Sequence, residues 1–254
     1  MRRRYLSTRR APTIGGAEVE RVGADALVGV LALAPPMPAG LKDWWAPRWN
    51  VAPTQPVRAI TARDGPPRLT LARWSLTMPS HGAKRPQLAD VRAETALLKP
   101  LLRHALARRR CLVLADGFYG WRGEGEARCP VRFAPRDDPR ADGAGAGDGR
   151  ALTFAAIARG RQHEGHWLEE LAILTTAADA LVAPVDDQQP VVIAAAERER
   201  WLDRDVAPEA LVELLAPRPL TGWLATDAPR WLDSARVEAA AAEPGPPVQP
   251  SLFG

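Results

Sequence analysis

Apolar and polar positions along the chain fall into short runs, some alternating and some at helical spacing. VRAIT (57–61) and RLTLARWSL (68–76) alternate and flank DGPP (64–67), which predicts two strands and a turn, a hairpin. Pro53 and Pro56 exclude a helix just before it. MPSHGAKRPQL (78–88) reads as a loop. In RAETALLKPLLRHALARRR (92–110), Leu97, Leu98, Leu101, Leu102 and Leu106 recur at helical spacing, and Pro100 must kink the helix or start a new one. CLVLADGFYGW (111–121) reads as an apolar strand running into a glycine-marked turn. RCPVRFAP (128–135), ALTFAAIARG (151–160) and ELAILTTAA (170–178) read as strands, and DDQQPVVIA (186–194) as a turn and a strand. AERERWLD (196–203) and PEALVELLA (208–216) are predicted short helices. Residues 134–150, rich in Gly, Asp and Pro, predict a surface loop. The apolar run ALVGVLALAPP (26–36) is shorter than the roughly 20 residues a membrane span needs, so it reads as core. The fold expected is α+β: one compact domain over 1–236, a largely antiparallel sheet or barrel with flanking helices, then a Pro-rich tail, 237–254.

Composition narrows this only a little. The 254 residues are 46% hydrophobic and 25% charged, ordinary for a globular protein with a sizeable core. Net charge is +4, which permits an anionic partner without requiring one. Of 34 basic residues only Lys42, Lys84 and Lys99 are lysines, the mark of a coding bias. The two cysteines, Cys111 and Cys129, suggest neither a disulfide framework nor a metal site, and a reducing cytoplasmic setting follows by default. No signal peptide is legible, and no membrane association is expected.

Taken in order, six segments carry more information than any one alone: WNVAPTQ, RWSL with MPS, VRAET with KP, RRRCLVLADGFYGW, ILTTAAD, and DDQQPVVI with WL. Their series, from about Trp49 to Leu202, resembles the SOS-response-associated peptidase (SRAP) family. The resemblance implies a protein that binds single-stranded DNA in a basic groove and captures abasic sites. The family's nucleophile is a cysteine at position 2: its amine attacks the sugar aldehyde and its thiol closes a thiazolidine. An asparagine, a glutamate and a histidine surround it.

At those positions this chain departs from the family. It opens MRRRY, so Arg2 stands where the cysteine belongs, and a guanidinium is no nucleophile. In DVRAET, Asp90 replaces the asparagine while Arg92 and Glu94 remain. In YGW, Gly120 replaces the glutamate, and glycine can neither move a proton nor hold a charge. In DDQQP, Asp186 replaces the histidine and Gln188 an arginine suited to phosphate. No catalytic position is intact. An ion pair of Arg2 with Asp90 or Asp186 is expected in its place. Cys111 is expected to be buried and inert.

DNA-contacting positions survive better. Arg4, Asn50, Pro53, Trp74, Arg92, Trp121 and Thr175 fall on family motif positions. Arginine suits phosphate, and Trp or Pro can stack on an unpaired base. Trp74 and Trp121 read as core residues ahead of stacking platforms, and Arg108–Arg110 as either a solvated helix end or a phosphate clamp. QPSLF near the C-terminus resembles the peptide by which bacterial repair proteins dock on the DNA sliding clamp, which makes Gln249, Leu252 and Phe253 the candidate anchors. His81, His104, His163 and His166 suggest no metal site, and no metal or cofactor is expected. The expected function is a monomeric, cytoplasmic, nucleoid-associated protein of the SOS response that holds single-stranded or abasic DNA without crosslinking to it. The alternatives are an abasic-site enzyme of altered chemistry and a scaffold that has lost DNA binding.

Overall fold

The computed structural model describes residues 4–7, 48–62, 65–80, 85–136, 152–163 and 166–233. The strands are β1 (Arg4–Ser7), β2 (Arg48–Val51), β3 (Pro56–Thr61), β4 (Arg68–Trp74), β5 (Leu76–Thr77), β6 (Gln87–Leu88), β7 (Asp90–Arg92), β8 (Arg110–Ala115), β9 (Gly117–Arg122), β10 (Cys129–Pro135), β11 (Leu152–His163), β12 (His166–Ala177), β13 (Gln188–Pro190) and β14 (Trp223–Asp227). The α-helices are α1 (Ala93–Leu98), α2 (Pro100–Arg108), α3 (Arg198–Leu202) and α4 (Val212–Leu215).

One sheet runs β11-β8-β3-β4-β12-β13, with β7 beside β12; β11 also pairs β12, so the five strands from β11 to β12 close into a barrel. Most pairings are antiparallel, but β12 runs parallel to both β4 and β7. The second sheet, β14-β10-β9-β1-β2, is antiparallel throughout. The expected α+β architecture is the observed one, and the hairpin is β3–β4.

Strand period separates two cores. Ile60, Leu112, Leu114, Ile157 and Leu174 pack with α1 to α4, whereas Val57, Val113, Phe154 and Ile173 pack with Phe118 and Phe133 of the second sheet. Each fully buried Phe contributes on the order of 1.5–3 kcal/mol. Pro100 does start a new helix: it occupies the first turn of α2, where its missing N–H costs nothing.

Three expectations are corrected. The stretch after CLVL is not a turn. Only Asp116 separates β8 from β9, and Phe118, Tyr119 and Trp121 are buried strand residues. Gly117 serves close packing here, since a Cβ would lie 2.3 Å from the Phe133 carbonyl oxygen. The loop expected from 134 begins later, because Ala134 and Pro135 pair with Leu224 and Trp223 of β14; residues 137–151 lie outside the described residues. Arg110 is neither solvated nor a clamp. It is buried at the start of β8 and donates to the carbonyls of Trp201 (2.6 Å), Leu106 (2.7 Å), Val206 (3.0 Å) and Asp203. A delocalised fork of donors suits carbonyls left over at the ends of α2 and α3. The tail from 237 and the apolar run 26–36 lie outside the described residues.

Candidate nucleic-acid interface

Residues far apart in sequence converge where the two sheets meet. Gly120 comes from β9, Asp90 from β7, Trp74 from the end of β4, Thr175 from β12, and Asp186 from the turn before β13. All five line one small cavity of about 30 Å³, room for a water molecule or two. Three of the four positions that the family resemblance marks as catalytic therefore line one cavity. The parallel β7–β12 pairing sets Asp90 beside Ile173 and Arg92 beside Thr175. The backbone of Arg4 lies opposite Tyr119, one residue from Gly120. Arg2 lies outside the described residues, and so does the expected ion pair.

The floor of the cavity is apolar and filled. Phe118 stacks on Phe133 with centroids 4.9 Å apart, and Phe154 meets Phe118 edge-on at 6.3 Å. A Cβ built on Gly120 would lie 2.7 Å from Val185 Cγ1 and 3.2 Å from Phe133 Cε2. The space that a side chain at position 120 would leave through is thus taken by a valine and a phenylalanine. No larger side chain fits at position 120 unless Val185 moves.

The rim is polar and internally bonded. Asp186 Oδ1 accepts from the Gln188 N–H at 3.1 Å, and the Thr175 hydroxyl donates to Gln188 Oε1 at 2.8 Å. Arg92 donates to Asp187 at 2.5 Å. The Asp187 carboxyl is held below the usual carboxylate range, first by its hydrogen bond with the Asp186 carboxyl, then by the Gln188 amide and the charge of Arg92. Arg92 keeps a half-exposed guanidinium, so a phosphate could reach it in competition with Asp187.

The remaining candidates occupy varied surroundings. Trp74 is 2% exposed and donates its indole N–H to the Ala89 carbonyl at 2.7 Å. Trp121 is 5% exposed, packs with Tyr119 and Leu232, and has the Arg128 guanidinium 5.7 Å from its ring centre. Asn50 is fully buried on β2, and Thr175 is buried. Pro53 is half-buried in the turn ahead of β3, followed by Thr54 at φ 78°. A β-branched residue there is strained, and it is held by its N–H to the Trp74 carbonyl at 2.7 Å. Arg85 and Arg108 are exposed; Arg103 is exposed and paired with Glu209. For Arg4 only the backbone is described. His81, Gln249, Leu252 and Phe253 lie outside the described residues. Cys111 is fully buried, and burial pushes its thiol far above the ordinary range.

Sequence reading missed Val185, Asp187 and Glu170. Asp187 sits inside the quoted DDQQP, and its charge beside Asp186 was the available signal. Val185 and Glu170 carried none, because what each touches is set by distant strands. Among the described residues no group of three His, Cys, Asp or Glu side chains could hold a metal ion, and no helix is long and apolar enough to cross a membrane.

Comparison with known proteins agrees with the motif series. Residues 25–235 match the family described as SOS response associated peptidase (SRAP). The chain is 29% identical over 181 residues to the abasic site processing protein YoaM of Bacillus subtilis, covering 69% of this chain and 75% of that one. It is likewise 29% identical over 173 residues to the abasic site processing protein YedK of Escherichia coli, covering 66% and 70%. The fold matches a protein of Bacteroides thetaiotaomicron with TM-score 0.67 at 18% identity, covering 89% of this chain and 92% of that one. It matches a phage-related protein of Bordetella bronchiseptica with TM-score 0.61 at 21% identity, covering 90% and 94%.

Proposed function

Because the chain belongs to the SOS response associated peptidase family, we propose that it is a DNA-damage response protein that holds single-stranded or abasic DNA without bonding to it. The names of its relatives, abasic site processing proteins, support the substrate class. One observation carries the non-covalent reading: Gly120, at the position of the family's acid, is packed against Val185 Cγ1 so closely that even a methyl group would collide. Asp186, where the histidine stood, offers a carboxyl group whose Oδ1 accepts from the Gln188 N–H, and Arg2 offers no thiol. Nothing at these positions can form or break a thiazolidine.

Binding is then a matter of phosphate contacts and shape. The half-exposed Arg92 supplies positive charge to a strand lying over the cavity, and Arg4, whose backbone pairs with Tyr119 beside Gly120, falls on a family position suited to phosphate. Affinity resting on such contacts falls with added salt. The protein acts as a cytoplasmic, nucleoid-associated monomer, and its QPSLF segment docks on the sliding clamp through Leu252 and Phe253.

The full-length protein should be incubated with a single-stranded oligonucleotide bearing one abasic site and run on native and denaturing gels at two salt concentrations. Salt-dependent retention on the native gel with no adduct on the denaturing gel is expected. An adduct that survives denaturation, or a cleaved strand, makes the protein an enzyme and overturns the reading. No retention at either salt makes it a scaffold.

A further inference from the structure

Away from the candidate interface, α2 and β11 enclose a second and larger cleft, of about 190 Å³. Its floor is apolar, built from Leu76, Met78, Leu101, Leu102 and Ala158. Its polar lining is basic: Arg109 after α2, Arg159 on β11, and His104 on α2. Among the described residues no carboxylate lines it.

Two features make this a formed site. The first is a rigid wall at Thr77, between Leu76 and Met78. The Thr77 N–H and hydroxyl donate to the buried Glu170 carboxylate at 3.0 and 2.9 Å, and the Thr77 carbonyl accepts from Arg159 at 3.4 Å. The negative charge of Glu170 is already taken by Arg161 at 2.9 Å and Arg73 at 3.6 Å, so it does not neutralise Arg159. The second is Arg109. Its Nη1 is enclosed by protein and has no hydrogen-bond partner among the described residues. A buried charged donor without an acceptor is unfavourable, and a turn of the guanidinium toward an anionic oxygen in the cleft would relieve it.

From this combination we infer that the cleft between α2 and β11 binds a small organic anion. An apolar body would lie on Leu76, Met78 and Leu101, and a carboxylate or phosphate would sit between Arg109 and Arg159. Planar guanidinium forks recognise both anion types in the same way. The volume lies below the roughly 300–1,000 Å³ of sites for drug-sized ligands, which limits the body to about one ring. The inference is independent of DNA binding, since none of these residues lines the cavity at Gly120.

The test is a titration of the full-length ¹⁵N-labelled protein, followed by amide shifts, with phenyl phosphate, phenylacetate, phenylethanol and inorganic phosphate. Saturable shifts at Ala158, Gly160 and Arg109 with one or both aryl anions, and much weaker effects of phenylethanol and inorganic phosphate, are expected. Tighter binding of phenyl phosphate assigns the site to phosphate esters, and tighter binding of phenylacetate to carboxylic acids. Arg109→Gln should weaken the preferred anion on the order of tenfold. Should that variant not fold, Arg159→Gln is the replacement, and Leu101→Trp should block the cleft without removing a charge. The inference is overturned if neither aryl anion moves these amides, if phenylethanol binds as tightly, or if the folded arginine variants bind unchanged.

Discussion

Arg92 on β7 and Asp187 at the foot of β13 form an ion pair 2.5 Å long across the edge of the candidate interface, joining positions 95 residues apart. The pair ties the cation proposed to meet a DNA phosphate to a carboxylate of the same chain. Asp187→Asn should free Arg92 and remove a repulsive charge. Since exposed pairs are worth about 0–1 kcal/mol, binding of a short single strand should tighten by up to about fivefold. Fluorescence anisotropy at low and moderate salt measures this. Unchanged or weaker binding would show that Arg92 does not touch DNA.

Glu170 predicts a stability effect. It is fully buried, and although burial by itself raises its carboxyl, hydrogen bonds from the Thr77 N–H, Arg161 and the Thr77 hydroxyl outweigh this and hold it low. Its contribution is therefore present above the unfolded value, near 4.3, and lost as pH falls through the lower folded value. Glu170→Gln strands Arg161 and Arg73 beside a neutral group and should cost about 3 kcal/mol at neutral pH. Urea midpoints at pH 7 and pH 3 check both points: the difference between wild type and variant should shrink in acid.

Gly120 predicts a steric coupling. Gly120→Ala should destabilise by about 1–3 kcal/mol through the contact with Val185. Val185→Ala in that background should recover part of the loss, giving a non-additive cycle of at least about 0.5 kcal/mol in denaturant titrations. Additive losses would mean that the two side chains do not compete for one space.

The cysteines predict a reactivity pattern. Cys111 is fully buried with its thiol pushed up by desolvation, whereas Cys129 is half-buried beside the Ala127 carbonyl and Arg230. Native protein treated with a maleimide should take one label, at Cys129, and denatured protein two, as read by peptide mass spectrometry. Label on Cys111 under native conditions would contradict its burial.

Much of the fold is legible in local pattern. The β3–β4 hairpin follows from alternation around DGPP, the break before α2 from Pro100, and the buried β8 from an unbroken apolar run. Local pattern misleads at DGFYGW, whose glycines mark close packing instead of a turn. It misleads again at Arg110, where a basic residue after a helix is buried because carbonyls of α2, α3 and the segment after α3 surround it.

The sequence by itself determined the family, through six motifs in series, and the side-chain chemistry at two positions, since no geometry can give a thiol to Arg2 or an acid to Gly120. Only the tertiary structure decided that Asp90, Gly120 and Asp186 share one cavity, that Val185 fills the room an acid would need, and that Asp187 holds Arg92. The physical reason is range. A residue's chemistry is carried in its identity, but burial, steric fit and charge pairing depend on which distant strands the pairing of the sheets brings alongside.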